Sequence, residues 1–169
     1  MTARTGTRRH ARIRRLGKTD YREVSRIYSE AIREYLNWKE REGKDELAEE
    51  RRSIARTLPF KSFEFYSEAG GSFVASLNGR AIGFILAQPV QDLDGRILWL
   101  DFIAVRPAFR RQGVGLALLS SVRKWGAKQN IGRTFTTLNP NNEASKALLR
   151  GAGFEVREWL TANYPPGSW

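Results

Sequence analysis

The residues able to do chemistry gather at Arg110-Arg-Gln-Gly-Val-Gly115, where two arginines and two glycines separate two apolar stretches. Upstream lies Ile97 to Val105, the most hydrophobic run in the chain. Downstream, Val114, Leu118 and Val122 recur at helical spacing. A strand that empties through a basic, glycine-bearing loop into a helix makes an anion site. The first turn of a helix leaves N–H groups unpaired and carries a partial positive charge. Glycine at 113 and 115 removes Cβ atoms that would hold a phosphate away from the backbone. The other chemically loaded residue is Asp101, the single charge inside the apolar run. A carboxylate buried in such a strand is costly unless something pairs with it or uses it.

Glycine spacing sorts the possible phosphate loops. A Walker A loop ends in Gly-Lys-Ser/Thr, but Gly115 is followed by Leu116. A dinucleotide fingerprint needs a third glycine where Leu118 stands. What the chain does contain is Arg110-x-x-Gly113-x-Gly115, preceded by Val105-x-Pro107. A second block follows, Asn142-Glu-Ala-Ser-Lys-Ala-Leu-Leu-Arg-Gly-Ala-Gly-Phe154. Together these resemble the acyl-CoA loop and the Asn-x-x-Ala…Gly-Phe block of the GCN5-related N-acetyltransferase (GNAT) family. The resemblance covers roughly residues 11 to 160 and is strongest from 97 to 154.

The resemblance implies acetyl-CoA as co-substrate and an amine as acceptor. The backbone N–H groups of Arg111, Gln112, Gly113, Val114 and Gly115 would hold the pyrophosphate. Arg110 and Arg111 would add charge outside that cradle, or stand as solvated arginines. The pantetheine arm would lie along Phe102 to Val105 as an extra strand, where the next strand splays away. An N–H of Ile103, Ala104 or Val105 would then face the developing oxyanion. Asn142 would touch the arm, cap its helix, or both.

Acetylation also needs a neutral amine, and a lysine amine has a reference pKa of about 10.4, an α-amine about 7.7–8.0. Asp101 is the candidate base or amine anchor; its alternative is an aspartate paired with an arginine or lying at the sheet surface. Glu64 and Glu68 are weaker candidates. Many members of the family carry a tyrosine five residues before the Phe of Gly-Phe, but here that residue is Leu149. Solvent, or a hydroxyl such as that of Tyr164, would have to protonate the departing thiolate. The same replacement suits a slow enzyme, or an inert module that only binds acyl-CoA. With no Cys, and His10 as the single His, a covalent acyl-enzyme route lacks its parts. Direct attack in a ternary complex is therefore expected.

Bulk properties bound the rest. The net charge of +11, from 29 basic and 18 acidic residues, favours an anionic partner. No nucleic-acid recognition motif accompanies that charge, so a nucleic-acid binder is the third reading, behind the enzyme and the inert module. No metal is expected, because one histidine in an arginine-rich tail cannot build a His-based zinc site. No apolar run reaches the roughly 18–20 residues of a membrane span. Without cysteines or a secretory pattern, a cytoplasmic location is expected. A homodimer stays open. So does the acceptor: protein N-terminus, lysine, polyamine, amino acid or aminoglycoside, with sparse acid slightly against a polycation.

The positioning elements follow from periodicity. Residues 1–10 read as a basic tail and 11–169 as one acyl-CoA-binding domain. Residues 11–16 form a first strand. Asp20 and Glu23 begin a helix carrying Val24, Ile27, Ala31 and Tyr35 as a capping box would. A charged helix is expected over 44–57, by default a solvated surface helix; the alternative is that it roofs the acceptor pocket with the first helix, near Tyr35 and Trp38. Phe60 to Glu68 is ambiguous. Strands at 72–77 and 81–87 turn at Asn78-Gly79, and a further strand spans 97–105. A helix runs from Gly113 to about Gln129, a strand over 133–138, a last helix after Asn142, and a final strand over 154–160. The order β-α-α-β-β-β-α-β-α-β predicts an α/β fold, a mixed, mostly antiparallel sheet with helices on both faces.

Overall fold

Asn78 and Gly79 adopt φ of 52° and 77°. This left-handed pair closes the hairpin between β2 (Phe73–Leu77) and β3 (Arg80–Asp92), as an Asn-Gly turn should. The structure is a computed structural model that describes residues 11–41, 56–93 and 95–157. The chain forms two compact units, Met1–Thr137 and Leu138–Trp169.

The first unit is a five-stranded sheet in the order β1-β2-β3-β4-β5. Its other strands are β1 (Arg12–Arg15), β4 (Gly95–Val105) and β5 (Arg133–Phe135). All neighbours run antiparallel except β4 and β5, which are parallel. Two helices, α1 (Tyr21–Arg41) and α2 (Phe60–Ala69), pack their apolar sides on one face. There Val24 and Ile27 of α1 and Phe63 of α2 join Val74, Phe84, Leu86 and Ala104 in one core. Full burial of a side chain such as Phe84 contributes roughly 1.5–3 kcal/mol. On the other face α3 (Val114–Lys128) buries Val114, Leu118 and Val122. Its Gly126 lies so close to the sheet that a Cβ there would stand 2.5 Å from Leu98 Cδ1.

Several local expectations are revised. The aromatic stretch from Phe60 is helical because Pro59 enters it at φ −62° and Gly70 ends it at φ 95°. The capping box of Asp20 with Glu23 is not made. Asp20 instead takes two bonds from Arg14, at 2.7 and 2.6 Å, and one from the Gly17 N–H, while Glu23 accepts from the Ala81 N–H. β5 stops at Phe135 rather than 138, because Thr136 leaves the ladder and its hydroxyl donates to the Leu100 carbonyl at 2.9 Å. The charged helix expected at 44–57 lies almost wholly outside the described residues.

The second unit holds α4 (Glu143–Gly151), capped by Asn142, whose Oδ1 accepts from the Ser145 N–H at 3.0 Å. The helix closes with Phe154 N–H on Leu149 O and Gly153 at φ 83°, a left-handed C-terminal glycine. Of the expected final strand, Phe154 to Arg157 pair with no strand among the described residues, and 158–160 lie outside them.

Candidate functional site

The site is built on the second half of β4. Its ladder with β5 pairs Ile97, Leu98 and Trp99 with Arg133, Thr134 and Phe135, and then stops. β4 continues to Val105 against β3 alone. Antiparallel residues alternate between bonding a partner and facing away. Arg106 N–H donates to Ile82 O at 2.9 Å, so the even residues 104 and 102 also bond β3. The main-chain groups of Ile103 and Val105 then face the side where β5 has ended. No strand occupies that side among the described residues.

The opening coincides with a bulge. Leu86 pairs with Phe102 and Ala87 with Leu100, which leaves Asp101 as the extra residue on β4. A bulge sets two successive side chains on one face. Asp101 and Phe102 accordingly both face α1 and α2: Phe102 stacks on Phe84 and meets Tyr28, while Asp101 meets Tyr66 of α2. In a regular strand Asp101 and Ile103 would share a face; across the bulge they do not, and Ile103 falls on the opposite face.

Asp101 is exposed, as in the alternative of an aspartate lying at the sheet surface, and not buried in the apolar strand. Its partners are polar neighbours rather than an arginine. Gln88 Nε2 donates to Oδ2 at 3.0 Å, and the Tyr66 hydroxyl donates to the same carboxylate. Burial first, then the Asp101 charge, hold the Tyr66 hydroxyl well above the usual phenol range. Tyr66 thus keeps its proton at neutral pH and acts as a hydrogen-bond donor. Glu64 and Glu68 are tied to Lys18, each 2.8 Å from its Nζ.

Past β4 the chain makes a 3-10 turn, Pro107–Phe109, and then the loop. Arg111 at φ 60° and Gly113 at φ 81° swing the backbone into α3. Gln112 fastens the loop through Nε2 to Ala108 O at 2.9 Å. The first bonded amide of α3 is Ala117, on Gly113 O. The amides from Arg111 to Leu116 find no acceptor among the described residues, and the loop is exposed from Arg110 to Gly113. This is the local geometry of an anion cradle.

Arg110 does not point into the cradle. Its Nε donates to Val105 O at 2.9 Å, and its two terminal nitrogens clasp the Glu34 carboxylate at 2.6 and 2.5 Å. The pair holds the Glu34 carboxyl below its usual range and the guanidinium above its own. Glu34 and Trp38 also line a depression of about 390 Å³ along α1. Sequence reasoning missed Glu34, Tyr66 and Gln88. No local spacing marks them, because each reaches the site from a different element.

In the second unit, Asn142 is seen as a helix cap and Leu149 is buried. Tyr164 lies outside the described residues. Among the described residues no group of acidic, His or Cys side chains is arranged to hold a metal, and no helix is long and apolar enough to cross a membrane.

The model of the acetyltransferase (GNAT) family matches residues 24–154. Aminoglycoside N(6')-acetyltransferase type 1 of Salmonella typhimurium is 32% identical over 92 residues, covering 52% of this chain and 63% of that protein. L-2,4-diaminobutyric acid acetyltransferase of Nocardia farcinica is 33% identical over 82 residues, covering 47% of this chain and 41% of that one. The match thus spans less than two thirds of the length of these curated relatives. Among solved structures, AAC(6')-Iy in complex with a bisubstrate analog, CoA-S-monomethyl-acetylneamine, superposes with a TM-score of 0.69. That likeness covers 92% of this chain and 98% of the other, at 25% identity.

Proposed function

Because the chain belongs to the acetyltransferase (GNAT) family, we propose that it transfers an acetyl group from acetyl-CoA to a primary amine by direct attack in a ternary complex. The observation that carries this reading is the opening of β4 beyond Trp99, beside a run of amides at 111–116 that find no acceptor among the described residues.

Those amides and the N-terminus of α3 hold the diphosphate, and the exposed Arg111 adds charge beside it. The Ile103 and Val105 main chain offers the donor's amide-bearing arm a strand edge to pair with. A thioester supplies the activated acetyl carbon. An N–H on that edge stabilises the negative charge that develops on the carbonyl oxygen. Asp101 receives the acceptor amine at the bulge and takes up the proton lost on C–N bond formation. The C–S bond breaks, and the thiolate takes a proton from solvent.

The acceptor proposed is a small molecule bearing more than one amine. An aminoglycoside and a diamino acid are the substrates named by the two relatives. An exposed carboxylate flanked by a phenol and an amide suits an ammonium group. Here the names of the relatives weigh more than the sparse acid of the sequence as a whole.

Thermal unfolding with CoA tests the donor half. Ligand at about 100 times its Kd stabilises by about 2.7 kcal/mol, which in a chain of this size raises Tm by several degrees. Thiol release across a panel of aminoglycosides and diamino acids tests the acceptor half. A Tm shift with no thiol release from any amine favours the inert acyl-CoA-binding module, the reading that Leu149 supports.

A further inference from the structure

Arg110 opens the loop motif, and its charge invites the role of phosphate ligand. Its geometry assigns it elsewhere. A guanidinium has five N–H donors in a fixed fork. One is spent on Val105 O and two bonds go to Glu34. The charge is neutralised by the same carboxylate. Arg111, the next residue, is exposed and has no ion pair among the described residues.

The bond to Val105 has a consequence for the strand edge. In chain order, that edge presents Ile103 N–H, Ile103 C=O, Val105 N–H and Val105 C=O. The first three face the opening with no partner among the described residues. Arg110 Nε holds the fourth. A guest segment pairing with β4 therefore meets an occupied carbonyl at the loop end, and its register is limited on that side. Glu34 anchors this stop to α1. A parallel contact lies one helical turn earlier, where Glu30 Oε2 stands 4.0 Å from Arg106 Nε. Residues four apart share a helix face, so α1 presents two carboxylates to the two arginines that flank the turn after β4.

We infer that Arg110, held by Glu34, is a positioning residue that sets how the donor's amide-bearing arm registers on β4, and that it does so without contacting the diphosphate. This rests on the acetyl-CoA reading above. Misplacing the thioester slows the chemical step, whereas the diphosphate is still gripped by the amides of 111–116. The two roles therefore separate in kcat and in the affinity of a fragment that carries only the diphosphate.

The test compares wild type, Arg110→Ala and Glu34→Gln, with adenosine diphosphate as the probe of the cradle. Both variants should lower kcat with acetyl-CoA, Arg110→Ala by about tenfold, as expected when a reacting group is held loosely, and Glu34→Gln by less. Affinity for adenosine diphosphate should stay within twofold of wild type or rise in Glu34→Gln, where the guanidinium is released. Parallel loss of diphosphate affinity and kcat in Arg110→Ala makes the residue a phosphate ligand and overturns the inference. A wild-type kcat in both variants overturns it as well. Glu34 is exposed, so its variant keeps the question answerable even if Arg110→Ala does not fold. A purely structural pair would lower Tm without moving kcat. Wild-type protein that binds neither CoA nor adenosine diphosphate refutes the donor reading itself, a result distinct from all of these.

Discussion

Asp101 and Phe102 are consecutive on β4, yet both present their side chains to the face covered by α1 and α2, because Asp101 is the extra residue with no register partner in the ladder to β3. The bulge puts a carboxylate at the surface while Phe102 keeps its place against Phe84. The charge therefore escapes the desolvation that an aspartate in a regular central strand would suffer.

Asp101→Asn removes the charge and keeps the shape. Activity towards amines should fall by about 10²–10⁴-fold if the carboxylate is general base, the usual range for such a group. If it only anchors the ammonium, the loss should appear mainly in KM for the amine. CoA affinity should not change. A variant with wild-type rates from pH 6 to 9 would remove Asp101 from the mechanism.

Tyr66→Phe deletes one donor to Asp101 and leaves the ring contacts. The phenol stays protonated at neutral pH, so it acts by orienting the carboxylate. The expected result is a fall of a few fold in kcat/KM for the amine, about what a typical hydrogen bond contributes on net, roughly 0.5–1.5 kcal/mol. Steady-state kinetics over several amines would read it, and an effect on CoA affinity instead would contradict the placement.

Gly113→Ala tests the cradle. A Cβ at this position would meet nothing within 4 Å, so crowding is not the issue. The issue is φ at +81°, which costs an alanine roughly 1–2 kcal/mol. Relaxing that strain turns the neighbouring amides. CoA affinity should fall about tenfold, together with a small loss of Tm, measured by calorimetry in the same buffer.

The Glu34–Arg110 pair predicts a pH signature. The folded Glu34 carboxyl titrates below its ordinary value of 4.5, so its stabilising contribution is present above that pH. It disappears as pH falls through the lower, folded value, while Arg110 remains charged throughout. The pair is half exposed, so its contribution is at most about 1 kcal/mol. Glu34→Gln should melt a few degrees below wild type at pH 7, and the gap should close as pH falls through the lowered value of the folded carboxyl. A gap that persists in acid would mean that the residue stabilises by packing.

Much of this protein is written locally. Asn78-Gly79 specifies a hairpin, the spacing of Val114, Leu118 and Val122 specifies the buried face of α3, and Arg110-x-x-Gly113-x-Gly115 between a strand and a helix specifies the loop. Each of these is a relation among residues within a few positions of one another, set by backbone preference or by the period of an element. The aromatic run at Phe60 stayed ambiguous because its side chains suit either period. Its helix is settled by packing Phe63 into the core and by the entry and exit at Pro59 and Gly70.

What the linear order of residues did not contain is every relation that crosses elements. The sequence by itself identified Asp101 as a charge in an apolar strand, and the glycines that leave amides bare. Only the tertiary structure decided that a register shift against β3 turns Asp101 outward, that β5 ends early enough to open the edge at Ile103 and Val105, and that Glu34, 76 positions before Arg110, takes that arginine away from the loop. The physical reason is common to all three. A strand's register and a long side chain's partner depend on which surfaces meet after folding, and the spacing of residues along one segment carries no record of the segment that will face it.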